Sequence, residues 1–345
     1  MALTTVNSGL LDSNAQYTGF KNRIINGAQV IDQRNAGAVV TPASETVTFI
    51  TDRFYFIRSI TTSPTLQQST DAPAGFTNSL LFTNANTGAT PTYAQVVHNI
   101  EGFNTADLGW GTANAQTITV SFRVKSSLTG TFSVAFRNSA NNRSYVTTYA
   151  ISAANTWETK TVTIPGDTSG TWLTNNGIGI SLIYRIGGSG GTSSTNQWTA
   201  TSDAFASGSV NVMGTANATW QITGVQLEKG STATSFDYRP YGTELALCQR
   251  YYINYGQCGL IAYSTQGVVA TVSYPVTMRA SPTVSISYNG VANTVYTIQT
   301  GATGVITPSI FGTAQGITNF YYLSGSWATG AGTGLATNVV ASIEL

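Results

Sequence analysis

Apolar and polar residues alternate along most of this chain in short runs separated by polar turns, the pattern of half-buried β-strands. The cleanest run is 117–124, where Ile118, Val120, Phe122 and Val124 fall on one face. Similar runs occupy 46–50, 54–57, 79–82, 93–97, 131–136, 144–150, 158–164, 179–184 and 220–227. Asn26-Gly27, between Ile24-Ile25 and Val30-Ile31, carries the composition of a type I′ hairpin turn. This density of short strands predicts a jelly-roll β-sandwich over 20–241.

The pattern changes once. Pro240 and Gly242 break the alternation, and the run from Thr243 to Tyr252 is the best helix-forming stretch, with Thr243 placed to act as N-cap. Alternation resumes at 267–274, 283–288, 294–300, 320–326 and 337–344. The predicted fold is therefore all-β: an N-terminal arm over 1–19, a large jelly-roll sandwich over 20–241, a short helical seam over 242–259 and a smaller C-terminal β-sandwich over 260–345. The arm is read either as a frayed terminus or as an arm that docks on a neighbouring subunit.

Composition narrows the setting. Of 345 residues only 8% are charged, while 41% are hydrophobic and 11% aromatic. Burial of that much apolar surface excludes a disordered chain, and the uncharged polar surface is of the kind found on secreted or particle-bound β proteins. A formal net charge of +1 gives no electrostatic footprint for nucleic acid or anionic membrane. No apolar run is long enough to insert in a bilayer, and the first residues lack the basic and apolar regions of a signal peptide. Cys248 and Cys258 are expected as free buried thiols.

Catalytic chemistry finds few residues to use. The single histidine, His98, sits in an alternating run with no nucleophile elbow anywhere, and is read as a strand histidine with an ordinary hydrogen bond. One histidine and two cysteines do not make a zinc site. The glycine-rich stretch 187–194 lacks the lysine and spacing of a phosphate loop and is read as a mobile surface loop leading to Trp198. Glycoside hydrolysis needs two facing carboxylates. The fourteen acidic residues, Asp52, Asp107, Asp167, Asp203 and Glu228 among them, are scattered singly. Glu101 near Trp110 and Glu158 beside Trp157 are read as turn or strand-edge charges. Asp167 or Asp203 could serve a structural calcium ion, although no DxDxDG loop is present. No catalytic residue, metal or cofactor is therefore assigned, and a non-enzymatic protein is expected.

Aromatic residues offer the remaining chemistry, because their faces stack on pyranose rings. Trp110, Trp172, Tyr184 and Trp198 fall in or beside predicted loops and form the candidate glycan-binding set; Trp157 and Trp220 are placed in the core.

Four segments carry a family resemblance. Residues 224–230 (GVQLEKG), 234–252 (TSFDYRPYGTELALCQRYY), 22–37 (NRIINGAQVIDQRNAG) and 274–284 (YPVTMRASPTV) together resemble bacteriophage virion proteins of the tail-fibre and particle-surface kind. The succession 117–138, 144–164 and 178–188 resembles, in its order of strand, hairpin partner and Trp-bearing strand start, the carbohydrate-binding jelly-roll modules attached to glycan-degrading enzymes. These resemblances imply a virion protein assembled in the host cytoplasm, homotrimeric, contacting other tail or capsid proteins. A tail-fibre or tail-tip position implies recognition of a host-surface glycan. The alternatives are a capsid decoration or head-fibre protein and a glycan depolymerase.

Overall fold

A computed structural model describes residues 21–345 apart from 61, 86–87, 257, 265–266, 270, 289–290, 293, 298–302, 306–308, 312–313, 315–317, 322–332 and 337. Over 257–338 side chains are described at 273–285, 287, 292 and 314. The predicted N-terminal arm lies outside the described residues. The chain forms two compact units, Met1–Tyr241 and Gly242–Leu345.

The first unit is the predicted jelly roll. Its strands are β1 (Thr48–Thr51), β2 (Phe54–Arg58), β3 (Thr65–Ser69), β4 (Ser79–Thr83), β5 (Tyr93–Glu101), β6 (Ile118–Ser126), β7 (Gly130–Arg137), β8 (Ser144–Ile151), β9 (Glu158–Ile164), β10 (Ile178–Gly188), β11 (Trp198–Thr199) and β12 (Thr219–Lys229). They pair antiparallel into a seven-stranded sheet, β1-β2-β5-β10-β7-β8-β11, and a five-stranded sheet, β3-β4-β12-β6-β9. From β4 to β7 the chain changes sheet at every step, so hairpin neighbours in sequence often face one another across the core.

That core is built by the alternation. Ile118, Val120, Phe122 and Val124 of β6 are fully buried, as are Leu182, Tyr184 and Ile186 of β10. Rings interlock between the sheets: Phe56 against Phe82 at 5.6 Å and Phe122 against Tyr184 at 5.1 Å between centroids. Trp220 Nε1 donates to the Tyr149 hydroxyl at 3.1 Å, satisfying a polar group that burial would otherwise penalise.

Three local expectations are corrected. Asn26-Gly27 does turn, with Asn26 at φ 60°, but no hairpin forms around it. The Asn26 carboxamide instead donates to Ile31 O (2.8 Å) and Asp52 O (2.9 Å), and the segment lies along β12, with Val225 N donating to Gly27 O at 3.0 Å. β3, TLQQS, escapes the pattern because an edge strand with one buried apolar residue, Leu66, has almost no alternation to read. Finally, the helix α1 spans Tyr241–Gln249 and starts directly after Pro240, so Thr243 sits inside it rather than at its cap.

The second unit follows α1 with β13 (Tyr252–Asn254), β14 (Cys258–Ser264), β15 (Gly267–Val269), β16 (Thr271–Val272), β17 (Thr283–Tyr288), β18 (Val291–Ala292), β19 (Thr294–Thr297), β20 (Thr303–Val305), β21 (Ser309–Phe311), β22 (Thr318–Tyr321), β23 (Thr333–Ala336) and β24 (Asn338–Ser342). These make sheets β13-β24-β17-β18, β15-β14-β23-β19-β20 and β16-β22-β21. Cys248 and Tyr251 are fully buried, while the Cys258 side chain lies outside the described residues. Arg279, within the 274–284 motif, donates to Ile343 O and Glu344 O at 3.1 Å and so ties that motif to the residues just past β24. Among the described residues no helix is long and apolar enough to cross a membrane.

Candidate functional site: a cleft on the outer face of the seven-stranded sheet

The predicted glycan-binding aromatics are brought together, but inward. Trp110, Trp172 and Trp198 form an edge-to-face triangle with centroids 4.7, 5.2 and 5.3 Å apart. Each indole N–H donates to a backbone carbonyl: Trp110 to Gln116 (2.8 Å), Trp172 to Ser169 (3.1 Å) and Trp198 to Pro165 (2.9 Å). Trp110 and Trp172 are 7% and 8% exposed and belong to the core, with Trp198 half-buried against it. The space beside Trp110 and Trp172 is about 10 Å³, room for one water and not for a sugar ring. Tyr184 is fully buried between Phe122 and Trp220. Burial pushes its phenol well above the ordinary tyrosine value, and its hydroxyl has no hydrogen-bond partner. The glycan-stacking assignment of these four residues is therefore corrected. Loop position was equated with exposure, whereas large rings at the rim of a sandwich close the end of its core. Trp157, expected in the core, is the opposite case: its Nε1 donates to Asp71 at 3.3 Å and Lys125 lies 5.2 Å over its ring, near the surface.

A cleft opens instead on the outer face of the seven-stranded sheet. Strand register places Ile57, Gln95, Arg185 and Ser133 in one row across β2, β5, β10 and β7. The segment that follows β11 folds back over the next row, where Ala204 and Ala206 pack on Val97, Ala135, Val146 and Ile183. Hydrogen bonds hold it down, among them Ala206 N to Ser133 Oγ (2.9 Å), Arg137 to Ser202 O (3.1 Å) and Val210 N to Thr131 O (2.7 Å). The glycine-rich stretch 187–194, read as a mobile surface loop, instead begins inside β10 and bridges at Thr192 to Ala206 of this wall, with Thr192 N donating to Phe205 O at 2.7 Å. Where wall and sheet part, they leave a cleft of about 440 Å³, lined among others by Tyr93, Gln95, Arg137, Arg185, Asp203 and Phe205. That volume lies in the range of about 300–1,000 Å³ usual for small-molecule sites.

Arg185 is the fixed centre of the cleft. Its guanidinium donates to Gly187 O (2.9 Å), Gln95 Oε1 (3.0 Å) and Thr92 O (2.6 Å) and packs 5.7 and 5.8 Å from the Tyr93 and Phe205 ring centroids. Burial, with the neighbouring Arg137 charge, pushes its pKa down to about 10. Arg137 is lowered as well, again by burial. Tyr93 presents an aromatic ring at the mouth, and its hydroxyl donates to Glu45, a bond that raises the phenol pKa. An aromatic wall flanked by amide, guanidinium and carboxylate groups can stack on a sugar face and hydrogen-bond its hydroxyls.

The other titratable groups are engaged in structure. Arg143 grips Asp167 with two bonds (2.8 and 2.6 Å), and Arg23 grips Asp107 likewise (2.7 and 2.8 Å). Asp52 accepts from Gln33 N at 3.1 Å and lies 3.6 Å from Arg34. Glu158 accepts from Lys160 and from the Ser152 and Ala153 amides, and Glu101 is buried at the end of β5. His98 is buried in β5 with Nε2 donating to Ile25 O at 3.1 Å; burial, then the Arg53 charge, hold its pKa well below the ordinary value. Among the described residues no three His, Cys, Asp or Glu side chains converge as a metal site.

No known family model matches the chain, and no curated protein matches it in sequence. Solved structures share its shape loosely. The enzymatically active domain of bacteriophage CBA120 tailspike protein 4 is 12% identical over 61% of this chain and 22% of its own, with a TM-score of 0.32. This chain therefore spans about a fifth of the length of that domain. A CBM4 structure is 15% identical over 60% of this chain and 99% of its own (TM-score 0.32). A structure named as a ‘putative sugar binding protein’ from Bacteroides thetaiotaomicron is 10% identical over 61% of this chain and 100% of its own (TM-score 0.33). Likeness at this level assigns neither a family nor a function.

Sequence reasoning missed Tyr93, Gln95, Arg137 and Arg185. A signal was present: β10 and β7 each carry a single arginine as their one charged residue, a costly placement on a sheet unless the outer face has polar work to do.

Proposed function

We propose that this chain is a non-catalytic, saccharide-binding component of a bacteriophage particle surface, holding its ligand in the outer-face cleft of the jelly roll. The observation that carries the binding reading is the cleft itself: an aromatic residue, Tyr93, beside Gln95, Arg137, Arg185 and Asp203 in about 440 Å³ of concave space. Polar groups fixed by the sheet around an aromatic face suit a ligand that is a ring edged with hydroxyls. Among the described lining residues Asp203 is the single carboxylate, whereas hydrolysis of a glycosidic bond ordinarily employs two, which supports binding without cleavage.

The particle-surface reading rests on the resemblance of 22–37, 224–230, 234–252 and 274–284 to virion proteins. Within that reading, a tail-fibre or tail-tip position with a host glycan as ligand suits the cleft better than a capsid decoration role, which requires no ligand site. Assembly as a homotrimer in contact with other virion proteins belongs to the same proposal.

The test is a glycan array probed with the full chain and with Tyr93→Ala. Saccharide binding that Tyr93→Ala weakens by roughly tenfold, about 1.4 kcal/mol, is expected. Binding unaffected by that substitution would move the site elsewhere. Labelling of intact particles with antibody against the chain tests its place: label confined to the tail is expected, and label spread over the head contradicts the tail assignment.

A further inference from the structure

The cleft holds two cations and a surplus of unused donors. A guanidinium carries five N–H groups. Arg185 directs three of its bonds at neutral acceptors, Gly187 O, Gln95 Oε1 and Thr92 O. Arg137 makes one, to Ser202 O, and its Nε is buried with no hydrogen-bond partner. Neither arginine forms a salt bridge among the described residues. Elsewhere in this unit Arg143 pairs with Asp167 and Arg23 with Asp107, whereas the buried Arg58 donates to the Pro42 and Thr62 carbonyls. The lone carboxylate of the lining, Asp203, accepts instead from Thr201 Oγ1 at 2.9 Å. The lining of the cleft thus carries two guanidinium charges against one carboxylate, and Arg137 spends only one of its N–H groups on a hydrogen bond.

Partly desolvated cations without an anionic partner are unfavourable unless something supplies the anion. Guanidinium groups with free N–H pairs match the two oxygens of a carboxylate or sulfate in a way that a neutral sugar hydroxyl does not. Resting on the saccharide-binding reading above, we infer that the cleft selects an anionic saccharide, one whose carboxylate or sulfate is held by Arg137 and Arg185 while its ring lies against Tyr93. A uronic acid and a sulfated sugar share the chemistry these residues recognise.

Titration calorimetry on the full chain separates the cases. The probes are a uronate oligosaccharide and its carboxyl-reduced neutral counterpart, and a sulfated oligosaccharide with its desulfated counterpart. At least one anionic member is expected to bind about tenfold or more tighter than its neutral partner, the size of effect a charge-assisted hydrogen bond produces. Which pair shows the preference tells carboxylate from sulfate. Arg137→Gln is expected to erase that preference, bringing the affinity of the anionic member down to about that of its neutral partner. Arg137 makes a single hydrogen bond, so this variant folds more readily than one at Arg185, and an unchanged melting temperature checks it. Equal affinity for anionic and neutral members, or a preference that survives Arg137→Gln, overturns the anion inference while the saccharide reading stands. If no saccharide of either kind binds, both fall.

Discussion

Asn22 Oδ1 accepts the backbone N–H of Leu227 at 3.1 Å, across 205 positions of chain. The same oxygen accepts from Ile24 N at 2.9 Å, and Asn22 Nδ2 donates to Val225 O at 3.1 Å, so one buried carboxamide stitches the first described segment to β12. Asp237 accepts from the Lys21 and Asn22 amides, Arg239 donates to Ile24 O and Asn22 O, and Asp237 N donates to Gln226 Oε1 at 2.7 Å. Three of the four segments that carry the virion-protein resemblance, 22–37, 224–230 and 234–252, therefore meet in one polar knot that closes the jelly roll. Their distinctiveness comes from closing the fold rather than from ligand chemistry.

Asn22→Ala leaves two amides and a carbonyl without their partner. A loss of about 2–4 kcal/mol in unfolding free energy is expected, since each buried orphan costs about 1–3 kcal/mol and water reaches some of them. Denaturant unfolding of the variant measures it. A loss below half a kcal/mol, on the order of an ordinary surface change, would show the knot to be dispensable.

Gly27 tests the same closure by shape. A Cβ there would stand 2.1 Å from Val225 O, so the segment must lift off β12 to admit Gly27→Ala. Because the clash is with backbone, destabilisation of at least about 2 kcal/mol is expected, read as a lowered melting temperature.

The tryptophan triangle predicts a separation of stability from binding. Trp110→Ala removes a ring that touches both Trp172 and Trp198 and should cost about 3–5 kcal/mol. Saccharide affinity of the folded variant should be unchanged, because none of these rings lines the cleft. Affinity lost at Trp110 with stability intact would restore the tryptophans as the ligand platform.

Alkaline pH should unfold the first unit. Burial raises the pKa of Tyr149 and of Tyr184, Trp220's hydrogen bond opposing it in part at Tyr149. Above the ordinary tyrosine value of about 10 the unfolded chain gives up these protons while the folded chain keeps them. Stability from these groups is therefore complete below that pH and falls as pH rises, by about 1.4 kcal/mol per pH unit for each tyrosine. Tyr184→Phe, which removes a buried hydroxyl without a partner, should flatten the fall and raise stability at neutral pH. Chemical denaturation followed from pH 9 to 11, on the order of one unit either side of that value, checks the slope.

Strand alternation was legible because β6 and β10 put every second residue into a dry core, and Ile118 or Leu182 announces that by type alone. β3 and β11 were not, since TLQQS and WT gain their strand form from neighbours rather than from their own pattern. The site was hidden for a related reason. Tyr93, Gln95 and Arg185 lie on the outer face, where sequence gives no sign that Ser202 to Ala206 returns over the next row and leaves a cleft beside them. Trp110 and Trp172 misled because turn residues around them say nothing of what a large ring packs against.

The most direct measurement is a crystal structure of the chain with the saccharide that binds it best. The account predicts a sugar ring against Tyr93, its anionic group within hydrogen-bond distance of Arg137 and Arg185, and the tryptophan triangle unchanged. A sugar bound away from the outer-face cleft, with Arg137 and Arg185 untouched, would contradict it.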